Sequence, residues 1–100
     1  MAIKISGNVV LTYDGANYSN TNIAVGYQAL YSNTTGIQNT AVGYAALGSN
    51  TTGFSNTALG LLTLYSNTIG IFNTAVGLQA LYSNTTGNSN TAVEIGRAHV

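Results

Sequence analysis

The side chains able to do acid–base, metal or charge chemistry in this chain are few enough to name. Asp14, Glu94 and His99 are its Asp, Glu and His residues, and Lys4 and Arg97 are its cations. General acid–base catalysis needs titratable groups positioned around a reacting atom. Two of these three sit within the last seven residues, and nothing charged lies between Gly15 and Val93. They supply no Ser-His-Asp set, no carboxylate pair and no metal cluster. The chain has no Cys, hence no thiolate site and no disulfide framework. Tyr hydroxyls are plentiful, but no neighbouring charge would tune them. Nucleic-acid binding needs a basic footprint, which Lys4 with Arg97 does not make. Gly43-Tyr44-Ala45 and its equivalents lead into no Lys-Ser/Thr pair, so they are not phosphate loops. The reading is non-enzymatic, with no catalytic, cofactor-binding or metal-ligating residues, no cofactor and no nucleic-acid partner.

Three polar or aromatic arrays remain. Asn17, Asn33, Asn50 and Asn84 open N-x-S/T glycan-acceptor patterns. Thr34-Thr35, Thr51-Thr52 and Thr85-Thr86 form a hydroxyl array of the kind an ice-binding face presents, interrupted by Ile69. The Tyr residues could stack sugar rings. Each array also has a plainer source, since Asn and Thr are turn residues and Tyr in a charge-free chain packs in cores or between chains.

The arrays are regular because the chain itself is. From Asn22 onward one unit recurs every 17 residues without insertion. The copies are 22–38, 39–55, 56–72 and 73–89, with a partial copy at 90–93, and each position of the unit forms a column down the repeat. Asn22, Asn39, Asn56, Asn73 and Asn90 hold the first column, and Ala24, Ala41, Ala58, Ala75 and Ala92 the third. Val25, Val42, Leu59 and Val76 fill the fourth and Leu30, Leu47, Leu64 and Leu81 the ninth; these two are the expected core. Gly36, Gly53, Gly70 and Gly87 close a Ser-Asn-x-x-Gly turn, where Gly is expected to supply φ > 0. A fixed period of about 20 residues means a solenoid or fibre, each unit burying its apolar face on the next.

Within a unit, Thr40-Ala41-Val42 reads as a short strand ended by Gly43. The next segment has two readings. Tyr27, Leu30 and Tyr31 have the i, i+3, i+4 spacing of a helical turn, and they equally suit a strand after a bend at Gly26. Two strands and two turns would use 17 residues at about 3.3 Å per strand residue. The Asn columns are expected to stack as amide ladders, which favours parallel, in-register coils. Each coil offers a core one Val or Leu, one Leu and two Ala. That is little burial against the entropy of ordering the coil. Tyr27, Tyr31, Tyr44, Tyr65 and Tyr82, with Leu61 and Leu78, are therefore expected to pack between chains.

Residues 1–21 depart from the repeat and read as an N-terminal cap or junction. Ile3 and Ile5, then Val9, Val10 and Leu11, suit short strands, with turns at 6–8 and 13–16. No signal-peptide h-region opens the chain, so any export is expected by another route or by release on lysis. No apolar run approaches the roughly 18 residues of a membrane helix, so no membrane insertion is expected. The end, Glu94-Ile95-Gly96-Arg97-Ala98-His99-Val100, breaks the repeat where Gly is due. Back-translated, it matches a common sequencing-library adapter read in frame, so 94–100 is expected to be a non-native tail.

The units 39–47 and 73–81, Asn-Thr-Ala-Val-Gly-Tyr-Ala-Ala-Leu and Asn-Thr-Ala-Val-Gly-Leu-Gln-Ala-Leu, resemble the head repeats of trimeric autotransporter adhesins. Those carry an N-S-V-A-I-G-x-x-A pattern, repeat at about 14 residues rather than 17, and form a left-handed parallel β-roll of three chains. The 17-residue version looks closer to repeats of phage tail-fibre proteins. The resemblance implies an all-β parallel solenoid, a left-handed β-roll, assembled as a homotrimeric fibre segment. It implies a virion or cell-surface location and support of host attachment, with a host receptor or glycan as partner. The alternatives are a monomeric solenoid binding ice or glycan, and a self-assembling filament.

Overall fold

The computed structural model describes the backbone of residues 2–5, 9–13 and 22–94, with side chains over 22–94. The turn expected at 6–8, that at 13–16 beyond Tyr13, the acceptor Asn17 and the tail 95–100 lie outside the described residues. Among the described residues there is no helix; seven strands form one sheet in chain order. β1 (Ala2–Ile5) and β2 (Val9–Tyr13) pair antiparallel, and β2 pairs antiparallel with β3 (Ile23–Val25). From there the sheet is parallel: β4 (Thr40–Val42), β5 (Thr57–Leu59), β6 (Thr74–Val76) and β7 (Thr91–Val93) follow, each 17 residues on. Thr40 pairs with Thr57, Ala41 with Ala58 and Val42 with Leu59, so every column stacks on itself. The repeat is a β-solenoid of about four turns. The edge of the parallel stack at β3 is occupied by β2, which removes an open row of backbone donors there.

Each coil contains one strand, not two, and that strand has three residues. The segment after it is neither helix nor strand. It is a run of overlapping turns: the N–H of Ala46 donates to the carbonyl of Gly43 (3.2 Å), Gly48 to Ala45 (2.9 Å) and Asn50 to Leu47 (3.1 Å). In the first two turns the third residue has φ > 0, as a type II turn demands: Ala45 at 57° and Leu47 at 52°. The pattern holds in every coil, and with Gln38, Ser55, Phe72 and Ser89 it puts twelve non-glycine residues among those described in the left-handed region. A side chain there costs about 1–2 kcal/mol. Bonding between coils holds the conformation. Ala45 N–H donates back to Tyr27 O (2.8 Å), Leu47 N–H forward to Thr63 O (3.0 Å) and Ser55 N–H back to Ile37 O (3.0 Å).

The positive φ expected at Gly36, Gly53, Gly70 and Gly87 is found elsewhere, at Gly26, Gly43, Gly60 and Gly77. The turn glycines are needed for a different reason. A Cβ on Gly53 would collide with the carbonyl of Gly70 in the next coil and with Asn50 Oδ1. Crowding by the coil's own Asn and by the next coil, not the backbone dihedral, excludes a side chain at Gly53.

The core also differs from the expected pair of columns. The Leu column faces inward, with Leu47 and Leu64 at 0 % exposure, Leu30 buried and Leu81 partly buried. The fourth column does not. Val25, Val42 and Val76 are half-buried and Leu59 is 36 % exposed. The physical reason is the strand's period of two: Thr40 and Val42 share one face and Ala41 takes the other. Ala24, Ala41, Ala58 and Ala75 line the interior instead.

Beside these small apolar groups the core is amide. Asn39, Asn50, Asn56, Asn67 and Asn73 are buried. In the first column Asn56 Nδ2 donates to Gly70 O (2.8 Å) and Asn39 Oδ1 (3.1 Å), and Asn56 Oδ1 accepts from the Asn73 N–H (3.0 Å). In the twelfth column Asn67 Nδ2 donates to Asn50 Oδ1 (3.0 Å) and to the same Gly70 carbonyl (3.1 Å). Two Asn columns thus close on each turn glycine's carbonyl. Among the described residues no buried side-chain nitrogen or oxygen lacks a hydrogen-bond partner. A buried amide costs little once its bonds are met and much when one is removed.

Candidate functional site

What remains outside this core is a set of parallel outward columns, and they are the surfaces available for recognition. The first is the outer face of the sheet, carrying Ile23, Thr40, Thr57, Thr74 and Thr91 beside Val25, Val42, Leu59, Val76 and Val93. The next outward column along the coil, past the bend at Gly43, is Tyr27, Tyr44, Leu61 and Leu78, all exposed. The Tyr27 and Tyr44 rings stack with centroids 5.7 Å apart and planes at 26°. A one-chain coil therefore leaves Val or Leu and then Tyr or Leu facing solvent in every turn.

A second aromatic column lies four residues further on. Tyr31, Tyr65 and Tyr82 occupy it, while Gly48 takes the place in the second coil. Tyr65 and Tyr82 stack at 5.5 Å and 22°; Tyr31 stands apart and is 72 % exposed. The five Tyr residues grouped by sequence are thus two separate columns, Tyr27 and Tyr44 in one, Tyr31, Tyr65 and Tyr82 in the other. Their separation was latent in the 17-residue register, since the two groups fall at different positions of the unit. A third surface carries Ile37, Phe54 and Ile71, with Phe72 meeting Phe54 edge-on at 5.6 Å and 79°.

Comparison with protein-family models, curated proteins and solved structures found no match for this chain.

The Asn array and one of the two Thr columns bond within the stack, while Thr35, Thr52 and Thr86 stay exposed. Asn33, Asn50 and Asn84 each turn Nδ2 onto the turn glycine of their own coil, at 3.0–3.1 Å. That nitrogen is the atom an N-glycan would need, so the folded repeat withholds it at these three positions. Thr34, Thr51 and Thr68 hydroxyls donate to the carbonyls of Thr51, Thr68 and Thr85 one coil on. The Thr51 carbonyl also accepts the N–H groups of Thr34, Thr35 and Gly36. These hydroxyl protons point along the solenoid axis. Among the described residues no group of three His, Cys, Asp or Glu could hold a metal ion, and no helix is long and apolar enough to cross a membrane. Glu94 stacks at the glycine position of its column, its N–H donating to Val76 O (2.8 Å).

Proposed function

We propose that the chain is a structural repeat segment of a homotrimeric fibre, of the phage tail-fibre or surface-adhesin kind. It is a left-handed β-roll without chemistry of its own, placed on a virion or outside a cell, and it supports attachment to a host. The observation that carries this reading is the apolar surface the core does not use. Leu59, Leu61 and Leu78 are 36 %, 44 % and 49 % exposed, in line with Val42, Tyr27 and Tyr44. Contiguous exposed apolar surface marks an interaction site. A coil whose neighbours above and below are copies of itself repeats this surface at every level, so the partner that fits it along its whole length is another solenoid of the same rise. Three chains about one axis also supply the solubility that a run free of charge from 15 to 93 lacks.

The mechanism is mechanical. Stacked coils bonded by parallel strands and amide ladders resist extension and bending, and three of them packed side by side form a stiff shaft. Light scattering or sedimentation equilibrium tests the reading directly. Three chains per particle are expected; a clean monomer of high thermal stability would refute it.

A further inference from the structure

The second aromatic column is interrupted once, and the interruption makes a recess. Where the other three coils place Tyr, the coil 39–55 places Gly48. The cavity left is about 300 Å³, at the small end of ligand pockets. Ala45 and Gly48 line it, with Tyr31 from the coil before and Tyr65 from the coil after. Gln28, Ser32 and Ser49 supply its rim. Tyr65 leans into the vacated position, since a Cβ on Gly48 would lie 3.1 Å from its ring. Behind it, the stacked Tyr82 ring supports Tyr65 from the far side.

We propose that this recess is a binding slot for one pyranose ring of a neutral glycan. Two tyrosine rings in the lining suit the C–H faces of a sugar, because an aromatic ring's negative π-face attracts the polarised hydrogens. Amide and hydroxyl rims suit its equatorial hydroxyls, each of which needs both donors and acceptors. The absence of charge narrows the ligand further. No Asp, Glu, Lys, Arg or His lies between 15 and 93, so an anionic or cationic sugar would lose its hydration with no ion to meet it. The Tyr rings are two coils apart, on the order of 10 Å before Tyr65's lean. The slot deepens the attachment reading above by naming what is attached to, yet its lining is complete within one chain.

The test is calorimetric titration of the wild-type chain with neutral hexasaccharides built on glucose, on galactose and on N-acetylglucosamine. Particle mass is measured on the same samples, so a failed trimer and a failed slot are told apart. At least one hexasaccharide should bind with a millimolar or tighter Kd. Gly48→Tyr restores the repeat's own residue and fills the slot; it should lower affinity by about tenfold or more while circular dichroism and melting are retained. Tyr31→Ala removes one wall and should weaken binding by about tenfold. Phe72→Ala, on a different surface, should leave binding unchanged. Failure of the wild type to bind any of the three sugars overturns the proposal. Undiminished binding by Gly48→Tyr overturns it too, as does an equal loss in Phe72→Ala.

Discussion

Replacing Asn56 by Asp changes one nitrogen into one oxygen and tests the amide ladder at its centre. Asn56 is fully buried, and its Nδ2 donates to Gly70 O at 2.8 Å and Asn39 Oδ1 at 3.1 Å. In Asn56→Asp the oxygen in that place faces two acceptors. Two hydrogen bonds are lost at about 1 kcal/mol each. A buried carboxylate adds a penalty of several kcal/mol, because no cation lies near to compensate it. At pH 7 the variant should lose about 4 kcal/mol or more, a large part of the roughly 5–15 kcal/mol that holds a domain this size. Burial among acceptors raises the introduced carboxyl's folded-state pKa above its unfolded value near 3.9. A group whose neutral form is favoured in the folded state destabilises progressively as pH rises past the unfolded pKa. Stability should therefore return as pH falls below about 4, where the protonated carboxyl again donates one bond. Urea unfolding followed by circular dichroism at pH 3.5 and pH 7, at one protomer concentration, reads the difference. A flat profile, or a loss under about 1 kcal/mol at pH 7, would mean that Asn56 is not held as described.

Five further variants probe the rest of the coil. Leu64→Ala should cost about 2–5 kcal/mol by urea unfolding, and Leu64→Asp should abolish the folded assembly, because the side chain is wholly enclosed. Gly53→Ala should destabilise by more than about 2 kcal/mol although its φ is ordinary, since the methyl meets Gly70 O and Asn50 Oδ1; a loss no greater than that of a surface substitution would put the coils further apart than described. Gln79, exposed with φ 55°, should become more stable by up to about 1 kcal/mol as Gln79→Asn, read as a rise of some degrees in Tm. Leu59→Ser with Leu61→Ser should dissociate the particle to single chains at low concentration, with strand content by circular dichroism kept; an unchanged mass would place the chain contacts elsewhere.

The parts of the fold that are legible in the sequence are those that repetition dictates. A constant 17-residue unit forces each column onto itself, so the strands at Thr40–Val42, the parallel register and the stacked Asn amides follow from spacing alone. What spacing cannot say is which column faces in. Val42 is the larger and more apolar neighbour of Ala41, and transfer energies favour burying it. The strand alternates, however, and only one of the two can turn inward. The interior takes the methyl of Ala41, and Val42 takes the outside. The backbone after Gly43 was hidden for another reason. Ala45 and Leu47 are poor residues for φ > 0, and no local preference points there; bonds from the coils on either side hold them. The recess at Gly48 was visible as a departure from a Tyr column, but its walls come from coils 17 residues before and after it.

The burial pattern bears on association as well. By composition alone, the core of each coil is too light in apolar side chains to stand without neighbours. In the structure the core is light in carbon but complete in hydrogen bonding, with two amide columns closing on each turn glycine. A satisfied polar interior specifies register, because a slip by one residue orphans every buried donor at once. Stability of the single chain and the assembly proposed for several chains then draw on separate residues. Asn56 and Leu64 serve the first, and Leu59, Leu61 and Leu78 are left over for the second. Strand alternation turns the fourth-column side chains outward, and the satisfied Asn columns complete the core without them. A repeat that turned its fourth- and sixth-column side chains inward would have a better-filled core and would lack the apolar stripe on which the proposed trimer rests.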